Sequence, residues 1–292
     1  MSAGPAVQRL SRFSLTTAGA ERLAVFYESA FGCHRLATGY LSGPAFETMM
    51  GVKGGALRIT LGLGEQVIEL LQFDQRGVPY SDDGSASDLT FQHFAIVVRD
   101  MAEAYRRLSA VEGWTAISRG GPQRLPESSG GVTAFKFRDP NGHPLEFLSY
   151  PKGATPVCWR EGQTSAVCLG IDHSAISVSD TARSVSFYES FGFKTSSHSL
   201  NRGVEQEKLD DVAGAKLEVT ALAPRESGPH LELLCYRRIQ HNREASRSNA
   251  DIATARLVFE ASDCPTPREI IDPDGHHLII EGQTVSEALA GG

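Results

Sequence analysis

The stretch "IDHSAISVSDTARSVSFYESFGF", residues 171–193, reads as a strand, then an aspartate, then a helix. Residues 170–178 alternate as a strand does, and Asp180 is placed to cap the helix that follows. Working outward, the same pattern returns three more times. "AVFYESAFGC" (24–33) matches "VSFYESFGF" (185–193), Phe26 aligning with Phe187 at an offset of 161 residues. "FQHFAIVVRD" (91–100) repeats the strand and its aspartate. After Asp100, Met101, Ala104, Tyr105 and Leu108 fall at helical spacing with Glu103 as a capping-box partner. Leu23, Phe26, Tyr27 and Ala30 form the same face in the first copy, and Gly32 is placed to stop that helix.

A second motif closes the copies. "IELLQF" (68–73), "LEFLSY" (145–150) and "LELLCY" (231–236) each place a glutamate, a leucine and an aromatic on one strand face. These triplets are Glu69-Leu71-Phe73, Glu146-Leu148-Tyr150 and Glu232-Leu234-Tyr236. A carboxylate among such apolar neighbours costs several kcal/mol unless a cation, a donor or water accompanies it. The aligned first strands supply Arg12, His93, His173 and Arg256, so the four copies read Arg12 with Glu69, His93 with Glu146, His173 with Glu232, and Arg256 with Ile279. The fourth copy is short by about one helix and a strand. Its "IDPDGHHLIIEG" keeps the Asp-Pro-x-Gly turn, but Glu281 reaches the glutamate's place only with a shift.

The fold class expected is α+β, built from paired βαβββ modules. The Pro- and Gly-rich stretch near 150–166 predicts two domains, 1–152 and 167–292, joined by a linker over 153–166, with modules paired in sequence order. A net charge of −7 without a run of like charges argues against nucleic acid and membrane partners and for a small molecule. No basic-then-apolar leader and no spanning apolar run is seen, which points to the cytoplasm. The five cysteines are scattered and nowhere spaced as CxxC, so they predict thiols rather than a disulfide framework or a cysteine zinc site.

"IDHSAISVSDTARSVSFYESFGF" and "FRDPNGHPLEFL" resemble the vicinal oxygen chelate superfamily, which includes glyoxalase I, bleomycin resistance proteins and extradiol dioxygenases. The resemblance implies curved mixed sheets forming two cups, with metal ligands from the first and last strands of paired modules. Carried over, a first cup holds Glu69, His93 and Glu146, with Arg12 at the fourth position, and a second holds His173 and Glu232 with Arg256 and Ile279. One imidazole and two carboxylates suit Zn, Fe, Mn, Co or Ni. The resemblance implies lyase or isomerase chemistry on a substrate with vicinal oxygens, Glu146 or Glu69 serving as base. Leu71, Phe73, Leu148 and Tyr150 would line the cup and Arg12 would clamp an anionic group, in a monomer or homodimer.

Rival readings have their own residues. An Arg12–Glu69 ion pair in place of a metal favours a metal-free binding or resistance protein. Four modules suit an Fe(II) ring-cleaving dioxygenase, but Arg256 and Ile279 depart from its ligand set, and Lys136 stands where its signature has tyrosine. His143, His276 and His277 follow turns and read as structural. The Gly/Pro/Ser-rich segment 118–131 is a lid over the first cup or a surface excursion.

Overall fold

The computed structural model describes residues 6–81, 84–160, 166–237 and 247–282; residues 161–165 of the expected linker and the end of the expected second domain lie outside these. Module one contains β1 (Val7–Thr16), α1 (Ala20–Phe31), β2 (His34–Leu41), α2 (Pro44–Met50), β3 (Ala56–Leu63) and β4 (Gln66–Phe73). Module two contains β5 (Gln92–Val98), α3 (Met101–Ser109), β6 (Thr115–Ala116), β7 (Gln123–Arg124), β8 (Thr133–Arg138) and β9 (Pro144–Ser149). A short α4 (Val157–Arg160) precedes module three, which has β10 (Cys168–Ser177), α5 (Thr181–Glu189), β11 (Lys194–Arg202), α6 (Val204–Asp210), β12 (Lys216–Ala223) and β13 (His230–Tyr236). Among the described residues, module four keeps only β14 (Ala255–Ala261), β15 (Arg268–Ile271) and β16 (His277–Gly282), the truncation that its length implies.

The caps form as their residues dictate. Asp100 accepts the Glu103 N–H at 2.9 Å and Asp180 accepts that of Arg183 at 3.0 Å. Gly32, at φ 76°, ends α1 in the left-handed conformation.

The modules do not pair in sequence order. One sheet runs β15-β16-β14-β1-β4-β3-β2 and joins modules one and four. The other has β11-β12-β13-β10-β5-β9-β8 and joins modules two and three. In each, two first strands meet antiparallel, β1 with β14 and β5 with β10, so the open edge of each module is covered by another. The expected division into 1–152 and 167–292 therefore does not describe the sheets.

Sequence-adjacent modules still touch, through their helices and turns. Tyr27 on α1 donates to Asp139 of the module-two turn, and Tyr188 on α5 donates to Asp272 of the module-four turn, both at 3.0 Å. The FYES and Asp-Pro-x-Gly motifs are thus two halves of one repeated contact. One core lies behind both sheets: Phe13 and Phe94, from different sheets, have ring centroids 5.2 Å apart, and α1, α3 and α5 pack into the same cluster. The opposite, concave faces are the two cups. The five cysteines form no disulfide.

Candidate metal centre

The β5–β10 ladder decides which side chains meet. Ala95 stands opposite His173, and Ala175 opposite His93, so the two histidines lie on a diagonal of one face, their ring centroids 5.9 Å apart. The parallel neighbours β9 and β13 bring Glu146 level with Ala95 and Glu232 level with Ala175. His93, Glu146, His173 and Glu232 are thus the four first- and last-strand positions of one cup. Ligand atoms of His93, Glu146 and His173 all lie within 4.8 Å of one another. Glu232 Oε2 is 3.5 Å from His173 Nε2.

His93 Nε2 is 2.8 Å from Glu146 Oε2 but is not aligned with it as a hydrogen bond, and neither His93 nitrogen has another hydrogen-bond partner. A buried imidazole whose Nε2 abuts a carboxylate and whose Nδ1 has no hydrogen-bond partner fits a ligand of a cation. Two imidazoles and two carboxylates suit a borderline divalent transition metal, so the residues present fit the metal that the sequence reading expected.

The electrostatics of the two halves differ. Burial lowers the His93 pKa, and the Lys136 ammonium lowers it further. Burial alone would raise the Glu146 carboxyl, but Lys136 and His93 outweigh it and hold Glu146 below its ordinary range. Lys136 is itself 3% exposed and paired with Asp210 at 2.7 Å. Burial opposes a charged His173, but Glu232 and Asp172 outweigh it and hold the imidazolium up to about 9. Glu232 in turn is drawn down to about 2, against burial, chiefly by His173.

A cavity of about 370 Å³ stands over these groups. Leu148 and Tyr150 line it together with His230, Ser197 and Ser199. Leu125, Ser129 and Gly130 of the 118–131 segment also line it, and Ser129 donates to Asn201 Oδ1 on β11 at 2.9 Å. This segment lies over the cup of modules two and three.

Sequence profiles agree with this architecture. The profile of the Glyoxalase/Bleomycin resistance protein/Dioxygenase superfamily matches residues 9–147 and 170–290. The chain belongs to that superfamily. Among solved structures, glyoxalase I from Zea mays is similar at 16% identity and TM-score 0.57, with 94% of this chain and 92% of that one covered. A glutamate-to-glutamine mutant of it gives 18% and 0.59, with 94% and 93% covered. A protein of Bacillus subtilis strain 168 proposed to be a dioxygenase gives 12% and 0.56, with 95% and 86% covered. At these identities the likeness is one of fold. No curated protein matches the sequence.

Glyoxalase-fold geometry corrects the expected ligand grouping. Glu69 lies on β4 in the other sheet and does not meet His93 or Glu146. It is 3.5 Å from Arg12 Nε, while Arg12 makes a bidentate pair with Glu281. Leu71 and Phe73 are packed with Phe46, Met50, Val258 and Ile279 in that other cup and are absent from the wall of the cavity over His93, Glu146 and His173. Arg256, fully buried, donates to Ser14 and Thr16 hydroxyls and to Asn249; burial lowers its pKa to about 10, against attraction from Glu69 and Glu269. The cup of modules one and four is thus held by guanidinium–carboxylate pairs, and among the described residues both groups of three metal-capable donors lie in the other cup. His143 and His276 are structural, as their turns suggest: His143 bonds Asp139 and the Thr16 carbonyl, and His276 bonds the Ser177 carbonyl. His277 pairs with Glu269.

Proposed function

We propose that the cup of modules two and three holds one divalent transition metal through His93, Glu146, His173 and Glu232. There it performs lyase or isomerase chemistry on a small substrate with vicinal oxygens. The observation that carries this reading is the convergence of His93, Glu146 and His173, whose ligand atoms all lie within 4.8 Å of one another. When bound, the metal polarises a substrate carbonyl and stabilises the negative charge that develops on oxygen.

The chain's own residues supply the proton transfer. Glu146 has the buried Lys136 across its ladder and stays a carboxylate. Glu232 has Ala221 there instead, and its side chain is 23% exposed against 8% for Glu146. Both carboxyls stay ionised, so exposure separates them: Glu232, the more open to the cavity, is the better placed to take a proton from carbon at a carboxylate oxygen and return it to the adjacent carbon. Leu148, Leu234 and Tyr150 exclude water from that exchange. Ring cleavage fits less well, since the position of the dioxygenase tyrosine is taken by Lys136, held by Asp210.

The deciding experiment is metal content per chain by elemental analysis, on protein purified without a chelator or a metal-affinity tag, for wild type and His93→Ala. One equivalent in the wild type, lost in the variant, is expected, and it opens a screen of hemithioacetal and 2-oxo thioester substrates. A folded wild type without metal would overturn the reading.

A further inference from the structure

Asp172 immediately precedes His173 on β10, and neighbouring side chains on a regular strand face opposite sides. The β10–β5 ladder is irregular at this point. Ile171 pairs with Ile96 and His173 with Ala95, which leaves Asp172 as an extra residue with no partner across the ladder. A bulge of this kind re-aims the added side chain. Asp172 Oδ2 lies 3.0 Å from His173 Nδ1, while Oδ1 accepts from Tyr150 OH at 3.0 Å and Trp159 Nε1 at 3.2 Å. An ionised carboxylate only accepts, so Nδ1 carries the hydrogen and Nε2 is the atom left to face the cup.

Modules one and two lack this arrangement. His93 has no partner on Nδ1, and Gln92 before it sits in the regular ladder opposite Ile176. β1 has the same irregularity between Leu10 and Arg12, but there Ser11 fills it and donates to the Val258 carbonyl. Among the described residues, bulge and carboxylate coincide only in the cup of modules two and three.

We propose that Asp172 is a positioning residue whose bulge aims its carboxylate at His173 Nδ1 and so fixes the ring with Nε2 directed at the metal. This rests on the metal reading above. Asp172, His173 and His230 also form a close group of donors. The Asp172 oxygens, however, already accept from Tyr150, Trp159 and His173, which makes Asp172 an anchor rather than a ligand.

The test is a chelator competition for Co²⁺ and Zn²⁺ at fixed pH, on the metal-stripped full chain. It compares wild type, Asp172→Asn, His173→Gln and the double variant. Asp172→Asn is expected to weaken affinity about 10–100-fold. That loss is expected to collapse in the His173→Gln background, because Asp172 acts through that ring. An Asp172→Asn affinity within about threefold of wild type overturns the proposal, as does an equal loss in both backgrounds, which marks a merely structural role. A wild type that binds neither ion overturns the metal reading and the proposal with it, an outcome distinct from the other two. Should Asp172→Asn not fold, Asp172→Ser, the residue that fills this bulge in the other sheet, carries the same comparison.

Discussion

Lys136 and Glu146 face each other across the β8–β9 ladder, a cation and an anion both withdrawn from water. Lys136 bonds Asp210, which also accepts from Gln206 at 2.6 Å and from Tyr236 at 2.8 Å. Removing the ammonium leaves two buried carboxylates without their cation. Lys136→Met is expected to cost about 3–5 kcal/mol in urea unfolding. Lys136→Met with Asp210→Asn is expected to recover part of that loss. A single variant as stable as wild type would show that the ammonium does not balance these acids.

The two cups predict one metal per chain rather than two. Glu69→Gln is expected to leave metal content at one equivalent, because Glu69 is engaged with Arg12 in the other sheet. Glu146→Gln is expected to weaken retention by an order of magnitude or more in dialysis against chelator. Loss of metal in Glu69→Gln would return that residue to the ligand set.

The His173–Glu232 pair sets a pH dependence for the metal-free protein. His173 is held above its ordinary 6.5, at about 9, so its contribution is full below pH 6.5 and lost as pH rises through about 9. A lift of that size corresponds to roughly 3 kcal/mol. Glu232 is depressed from 4.5 to about 2, so its contribution holds above pH 4.5 and is lost as pH falls toward 2. Melting temperature of stripped protein is expected to decline between pH 6.5 and 9.5, and His173→Gln to flatten that decline. Parallel curves for the two proteins would contradict the pairing.

Tyr27 and Tyr188 test the repeated contact between helices and turns. Tyr27→Phe removes one donor to Asp139, which keeps His143 Nδ1 and two backbone N–H groups. A cost of about 1 kcal/mol is expected, as for Tyr188→Phe at Asp272. The sites share no residue, so the double variant is expected to show the sum in denaturant titration.

The residues at each module's ligand positions were legible in the sequence because repetition marks them. His93 and Glu146, His173 and Glu232, and Arg12 and Glu69 each sit where the alignment of copies puts them. Which modules share a cup was not legible. The connections over 74–91, 150–167 and 237–254 are each eighteen residues long, so chain length permits any neighbour pairing. What distinguishes the observed arrangement is side-chain chemistry across distant segments. Arg12 finds Glu281, and Arg256 finds Ser14, Thr16 and Asn249, whereas a cup of modules one and two would set Arg12 against His93. The bulge at Asp172 escaped notice for a related reason, since strand alternation assigns its side chain to the wrong face.

Modules two and three are consecutive, so every residue of their shared cup has been synthesised once Tyr236 is made. β1 by then has been waiting since the start of synthesis, and β14 has still to emerge. Throughout that interval its edge is open to any β14 that reaches it, including one from a neighbouring nascent chain. Exchange of the fourth module between two chains would leave both cups of modules two and three whole and would give an interlocked dimer. Pairing first with last thus separates the integrity of the cup of modules two and three from the number of chains in the particle.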